Sequence, residues 1–499
     1  MQDAILAIDE GTTGVTCLVI AADGRTVARH YAEFTQHFPR PGWVEHDATE
    51  IWDTTARLAR AALADADRAS VRPCAVGITN QRETVVVWDR DTLEPVHRAI
   101  VWQDRRTAPI CRALRDAGHE PTVRERTGLV LDPYFSGTKL TWLFRERPDL
   151  RRRAEEGALA VGTIDSWLMA RLTAGAAHVT DPTNACRTLL WDLHEGTWSE
   201  ALLDLLEVPR AALPDVRPSS GEFGVAVGEA LGRDLPVLGV AGDQQAALFG
   251  QGCWSPGLAK NTYGTGAFLL LHTGDEAVPS RSGLLTTVAC DARGGRAFAL
   301  EGSIFIAGAA LQWLRDGIGV LEDATASGRI AASLEGNDGV YLVPAFVGLG
   351  APHWVPDARG MIVGITRGTG RAHLVRAALE AMAYGTADVL DAMERDSGVV
   401  TRELRVDGGA SGNDWLMAFQ AGIVGIPVRR AAQIETTALG AAGLAGLAAG
   451  VWADGDAFLE AQGEPARFEP RLAEDEREGL RRGWARAVAA ARGWGEAGP

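Results

Sequence analysis

Three short runs combine acids, hydroxyls and glycines in a way that suits phosphate chemistry. Asp9-Glu10-Gly11-Thr12-Thr13 places a carboxylate before a turn that ends in two hydroxyls. Successive backbone N–H groups in such a turn form an anion-binding nest, and the hydroxyls add donors for phosphate oxygens. A carboxylate repels phosphate, so the natural partner of Asp9 is Mg²⁺, held directly or through water. Asn261-Thr262-Tyr263-Gly264-Thr265-Gly266 repeats the Gly-Thr turn in the other half of the chain, and Asp407-Gly408-Gly409-Ala410 adds a third glycine turn. Each run alone also reads as a plain turn between strands. Two such loops facing one another across a cleft would grip a triphosphate from both sides.

The surrounding elements are those such loops need. Residues 4–9 read as a buried strand, 15–21 as a β-branched second strand, and Asp23-Gly24 as a tight turn before a third, so the chain opens with a three-stranded meander. A helix follows from Asp47, a suitable N-cap, to Ala64, and then short strands at 75–79 and 85–88. Gly239–Asp243 is a strand ending in an acid, Ala259–Phe268 carries the Gly-Thr-Gly turn, and Leu404–Asp407 ends in glycines. Strands alternating with helices indicate an α/β fold, and both halves place Asp and Gly-Thr elements at strand ends, where an open sheet presents its ligand crevice. The repeat is structural rather than textual, with the boundary near Gly250.

Composition narrows the partners. The chain has 499 residues, enough for two to four domains, and a formal charge of −16, which argues against a general nucleic-acid binder or a partner for anionic membranes. The only lysines are Lys139 and Lys260, and neither lies in a G-x-x-x-x-G-K-[ST] run, so a P-loop is excluded. Six isolated cysteines without C-x-x-C spacing, and no signal-like N-terminus, fit a reducing cytoplasm. The uncharged stretch between Glu435 and Asp454 is built of Ala and Gly, which predicts a buried helix packed through small residues rather than membrane insertion. The segment from Arg471, with Trp484 and Trp494, reads as a charged amphipathic docking helix.

Gly77-Ile78-Thr79-Asn80-Gln81-Arg82-Glu83-Thr84 resembles the FGGY carbohydrate kinases, and among them the glycerol kinases. So do Pro41–Asp47, Ile100–Gln103, Asp132–Lys139, Gly242–Gly250, Asn261–Gly266 and Gly348–Pro352, colinear over nearly the whole chain. The resemblance implies a two-domain actin-like, ribonuclease-H-like ATPase fold of the sugar-kinase type with an interdomain cleft. Residues 1–250 would carry the polyol site and first phosphate loop, and 251–499 the second phosphate loop and adenosine site. It implies ATP-dependent phosphorylation of glycerol, with another polyol or a ketose as the alternative, and a homodimer or homotetramer. By the same resemblance Arg82, Glu83, Trp102, Tyr134, Asp243, Gln244 and Phe268 surround the substrate. Thr12, Thr13, Thr265, Gly308, Gln312, Gly409 and Asn413 meet ATP, and Asp9 and Asp243 hold Mg²⁺. The residue types agree: Arg82 offers a fixed fork of donors, Glu83 and Asp243 acceptors, Tyr134 either, and Trp102 and Phe268 can wall the carbon side of a triol. Asp243 is the expected general base.

The chain departs from the common family pattern Asp-Gln-Gly-Thr-Thr-Ser-Ser-Arg at the first loop. Glu10 stands for the glutamine and Thr16 for the arginine. If both positions face the nucleotide, the change adds a negative charge and removes a positive one, and ATP should bind more weakly.

Overall fold

The computed structural model describes residues 1–496. The first sheet is built from β1 (Gln2–Glu10), β2 (Gly14–Ala21), β3 (Thr26–Glu33), β4 (Val71–Asn80), β5 (Ser220–Ala226) and β6 (Leu235–Gly242) in the order β5-β6-β4-β1-β2-β3. β1, β2 and β3 are antiparallel neighbours, whereas β4 and β6 run parallel to β1 on its other side. The second sheet comprises β7 (Leu258–Tyr263), β8 (Ala267–Gly274), β9 (Leu285–Cys290), β10 (Arg296–Ile304), β11 (Glu403–Gly408), β12 (Val428–Arg430) and β13 (Ala466–Phe468). Its order is β9-β10-β8-β7-β11-β12-β13. Here too a first strand, β7, has antiparallel strands on one side and the parallel pair β11 and β12 on the other. The expected structural repeat is therefore present: one strand frame is used twice without shared text.

Local signals explain most elements. Helix α1 (Ala48–Arg68) starts where Asp47 accepts from the N–H groups of Thr49 and Glu50, and runs four residues beyond the expected end. Helix α2 (Asp243–Gly250) follows β6 directly, so Asp243 is the first helical residue rather than the last of the strand. Helices α3 (Arg371–Ser397) and α4 (Asp414–Val424) belong to the second core. The small-residue stretch forms α5 (Thr436–Ala448), which is buried as expected. Its position was not foreseen. Although it comes late in the chain, α5 packs on α2 and on β4, β6 and β1 of the first sheet. Glycine permits this closeness: a Cβ on Gly440 would stand 1.8 Å from the carbonyl oxygen of Ala246, and one on Gly77 2.2 Å from that of Ala441.

Helix α6 (Glu474–Glu496) docks through Trp484, which stacks on Tyr384 at 5.3 Å and donates to Asp388, while Trp494 is exposed. Among the described residues no helix is long and apolar enough to cross a membrane.

Candidate active site

The carboxyl ends of β1, β4 and β6 lie side by side. Glu10 pairs with Asn80, and Asn80 with Gly242, so Asp9, the Arg82-Glu83 turn and Asp243 emerge at one edge of the first sheet. There, Thr12, Arg82, Glu83, Trp102, Tyr134, Asp243, Gln244 and Phe268 line a cavity of about 130 Å³. All seven residues expected around the substrate are thus brought together, joined by one threonine of the first turn. A small auxiliary sheet containing Val85–Asp89 and Ala99–Ile100 carries Trp102 inward, and the helix Ser136–Glu146 begins two residues after Tyr134. The indole N–H of Trp102 donates to Thr12 Oγ1 at 2.9 Å, and its ring meets Tyr134 edge-on at 5.5 Å. Thr12 is thereby tied to the cavity wall.

Glu83 has φ 63°, an uncommon conformation for a residue with a side chain, within a tight turn in which the Thr84 N–H reaches the Arg82 carbonyl. The turn sends two neighbouring, oppositely charged side chains into one buried network. Arg82 Nη1 and Nη2 reach Glu301 at 2.5 and 3.2 Å. Arg187 donates to Glu83 at 2.6 Å and to the other side of the same Glu301 at 2.9 Å. Against burial, which works the other way, Arg187 and Arg82 hold the Glu301 carboxyl down to about 2. Burial outweighs the arginines at Glu83 and raises it. Neither Arg187 nor Glu301 was among the expected site residues. The available signal was a single charge inside an apolar run, Ala297-Phe298-Ala299-Leu300-Glu301 and Arg187-Thr188-Leu189-Leu190.

The network fixes Asp243. Its Oδ1 lies 3.1 Å from Arg82 Nε and accepts from the Gln244 N–H at 2.7 Å. One oxygen is doubly held, and Asp243 borders the cavity.

Both lysines are fully buried beside this cavity. Lys139 Nζ donates to the carbonyls of Pro133, Tyr134 and Phe135 at 2.7, 2.6 and 3.0 Å, tying down the turn that presents Tyr134. Burial pulls its pKa down to about 7, while three carbonyl acceptors match the three donors of an ammonium. Lys260 bridges Gln244 Oε1 and Thr262 Oγ1 from the second sheet, and burial lowers it to about 8.

The residues expected to meet ATP lie mostly on the second sheet. Tyr263 pairs with Gly408, so the Thr265 turn and the Gly409 turn leave adjacent parallel strands at the same end. The N–H groups of Ala307 and Ala309 bond the Thr265 carbonyl, and the Gly308 N–H bonds that of Gly264, stacking the short helix bearing Gly308 and Gln312 on the turn. Thr13, Thr265, Gln312 and Gly409 are exposed. Asn413 caps α4, accepting from the Leu416 N–H and donating to Ser327, so its side chain is already engaged.

Asp9 and Asp243 are the two residues expected to hold Mg²⁺, and the charge of each is felt by the other. Burial, then the facing charges of Asp243 and Glu435, push the Asp9 carboxyl up to about 8. Two carboxylates in mutual repulsion are relieved by a divalent cation, and Mg²⁺ commonly takes one or two carboxylates together with substrate phosphates, so the donor set fits. Among the described residues no group of three or more His, Cys, Asp or Glu forms a further metal cage.

The first-loop departure divides in two. Thr16 is paired with Asp9 across β1 and β2 and shares its face. Glu10 is on the opposite face, fully buried, accepting from Gln81 Nε2 at 2.9 Å, with Oε2 unpartnered. Burial pushes its carboxyl well above the ordinary range. Glu10 therefore does not share the face of Asp9, and the condition that both substituted positions face the nucleotide is not met.

Residues 4–250 match the N-terminal domain of the FGGY family of carbohydrate kinases, and residues 259–449 match its C-terminal domain. The chain belongs to this family. It is 56% identical over 490 residues to the glycerol kinase of Deinococcus radiodurans, covering 98% of each chain. It is 55% identical over 501 residues to that of Dechloromonas aromatica, covering both fully. Among solved structures, Plasmodium falciparum glycerol kinase with ADP superposes with TM-score 0.94 at 34% identity, covering 98% of each chain. A xylulose kinase from Lactobacillus acidophilus superposes with TM-score 0.87 over 98% of this chain and 97% of its own, at 20% identity, a likeness of fold. The FGGY membership and the two-domain α/β kinase fold expected from the sequence are thus the ones found.

Proposed function

We propose that this FGGY kinase transfers the γ-phosphoryl group of ATP to a terminal hydroxyl of glycerol, giving sn-glycerol 3-phosphate and ADP. The observation that carries the reading is the small cavity in which Arg82, Glu83, Tyr134 and Asp243 supply donors and acceptors and Trp102 and Phe268 supply an apolar wall. Full-length identity above half to glycerol kinases supports glycerol over a ketose. Asp243 acts as general base: Arg82 and the Gln244 N–H orient it through Oδ1, and Oδ2 takes the proton of the attacking hydroxyl. Thr12, joined to Trp102, sets the first phosphate turn against the polyol, so the attacking oxygen and the γ-phosphorus are brought into line. Thr13, the Gly264–Gly266 turn, Gly308, Gln312, Gly409 and Asn413 hold the rest of the nucleotide. Mg²⁺ at Asp9 and Asp243 would compensate the phosphate charge.

In this reading residues 1–250 hold the polyol and the first phosphate turn, and 251–499 the second turn and the adenosine. Closure of the two over the cleft excludes water, which competes for the same phosphoryl group. The protein works in the cytoplasm as a homodimer or homotetramer. Asp243→Asn tests the base directly: kcat is expected to fall by about 10²–10⁴-fold while glycerol still binds. Retained turnover would remove Asp243 from that role.

A further inference from the structure

A second cavity lies at the opposite end of α2 from Asp243, roughly 12 Å away at 1.5 Å per helical residue. It measures about 120 Å³, and its polar lining is Gln251, Arg405, Arg429 and Gln462. None of the residues expected to meet ATP or the polyol borders it. Gln251 immediately follows α2, in the connection between the two sheets, whereas the arginines stand on β11 and β12 of the second.

The charge arrangement is unusual. Arg405 is directly opposite Arg429, and Arg429 directly opposite Arg467 on β13, so three arginines form a row across neighbouring strands. Like charges at directly opposed positions destabilise a sheet. Glu403 engages both Arg405, at 2.9 Å, and Arg429, at 2.8 Å, and Arg467 has the exposed Glu469. Three positive charges thus face two negative ones, and no acid borders the cavity itself. Hydrogen bonding is incomplete in the same place. Arg429 Nε, although close to Glu403, is not aligned to donate to it, and Gln462 Nε2 and Gln251 Oε1 also have no partner. Gln251 is 4% exposed, and its amide nitrogen is already committed to Asp407 at 2.8 Å, which leaves its oxygen toward the cavity as an acceptor. Buried polar groups without partners are costly, and two such amide atoms beside a misaligned Arg429 Nε, around one positive cavity, call for one complementary ligand.

We propose that this cavity is a binding site for a phosphate group, separate from the catalytic cleft and joining its two halves. Arg429, Arg405 and Gln462 supply donors to three phosphate oxygens. Gln251 Oε1 accepts the O–H that hydrogen phosphate keeps at neutral pH, a donor that an ionised carboxylate lacks. Occupancy would tie the connection after α2 to β11 and β12. Through Gln251 it would touch Asp407, at the base of the Gly408-Gly409 turn.

The test is a calorimetric titration of inorganic phosphate into the full-length protein with sn-glycerol 3-phosphate and Mg-ADP at saturation, so that the position of the transferred phosphoryl group in the catalytic cleft is filled too. A single saturable site is expected in the wild type, weakened at least about tenfold in both Arg429→Gln and Gln462→Ala, in line with the loss of charge-assisted hydrogen bonds. Gln462→Ala removes only a partly exposed amide and decides the question if Arg429→Gln does not fold. Methyl phosphate, titrated in parallel, has largely lost that O–H at neutral pH and is expected to bind more weakly than inorganic phosphate; equal or tighter binding would assign the site to a phosphate ester and remove the Gln251 contact. Malonate is expected to bind more weakly than both. Absence of saturable phosphate and methyl phosphate binding, or binding unchanged in both variants, would overturn the proposal.

Discussion

The polyol cavity and the nucleotide turns meet at one cleft but are built by opposite means. Around the polyol, Arg82, Glu83, Arg187 and Glu301 are all buried and bind one another, so the donors and acceptors are fixed before any ligand arrives. On the side proposed for the nucleotide Thr13, Thr265, Gln312 and Gly409 are exposed, and they stand on or beside glycine turns. A small neutral triol gives few contacts, so selectivity must come from preorganised groups that a wrong substrate leaves unpaired. A nucleotide brings several charges, so exposed donors on short turns, with a divalent cation, would suffice to hold it. With a formal charge of −16, the chain gives ATP no global attraction, so these local devices must admit it.

The comparison can be broken first at Glu301. Glu301→Gln leaves Arg82 and Arg187 short of a buried counter-charge, and removal of one partner from such a network costs about 3–5 kcal/mol. Urea unfolding should show that loss and kinetics a raised KM for glycerol, with the KM for ATP little changed. A stable variant with normal glycerol KM would mean that the network does not preorganise the cavity. Lys139→Met is the next largest: it strands three carbonyls around Tyr134, at a cost of about 1–3 kcal/mol. Its kinetic signature should again be in glycerol KM.

The first-loop substitutions sharpen the nucleotide side. Thr16→Arg restores a cation on the face of Asp9 and should tighten the KM for ATP by about threefold to tenfold, the scale of one ordinary net hydrogen bond. Glu10→Gln, on the buried face, should leave that KM unchanged. Its effect belongs to stability. The folded-state pKa of Glu10 is raised, so the folded chain holds its proton more tightly and wild-type stability falls as pH rises above the ordinary value of 4.5. The glutamine variant lacks this slope, and its stability advantage should widen with pH in parallel denaturation curves. A pH-independent gap would show that Glu10 is not held as the neutral acid.

The sequence conveyed the parts whose signals are local. The meander, the Asp47 cap, the glycine turns and the buried nature of α5 follow from periodicity and turn chemistry within a few residues. Arg187 and Glu301 were hidden because their partners are over a hundred residues away, and nothing near either position marks the pairing. The sheet covered by α5 was equally nonlocal, set by close approach at Gly77 and Gly440. Glu10 is different. Adjacent strand residues point to opposite faces, so Asp9 and Glu10 could not both face the nucleotide, and strand alternation alone would have separated them.

The central claim is that this cavity selects glycerol for phosphorylation by ATP. Coupled measurement of ADP release by the purified protein with Mg-ATP, on a panel of glycerol, erythritol and xylulose and with no polyol added, tests it most directly. The preformed hydrogen-bonding site predicts kcat/KM for glycerol at least about 10²-fold above the other polyols, and ADP release without polyol lower still. Higher kcat/KM on xylulose or erythritol, or ATP hydrolysis independent of any polyol, would contradict it.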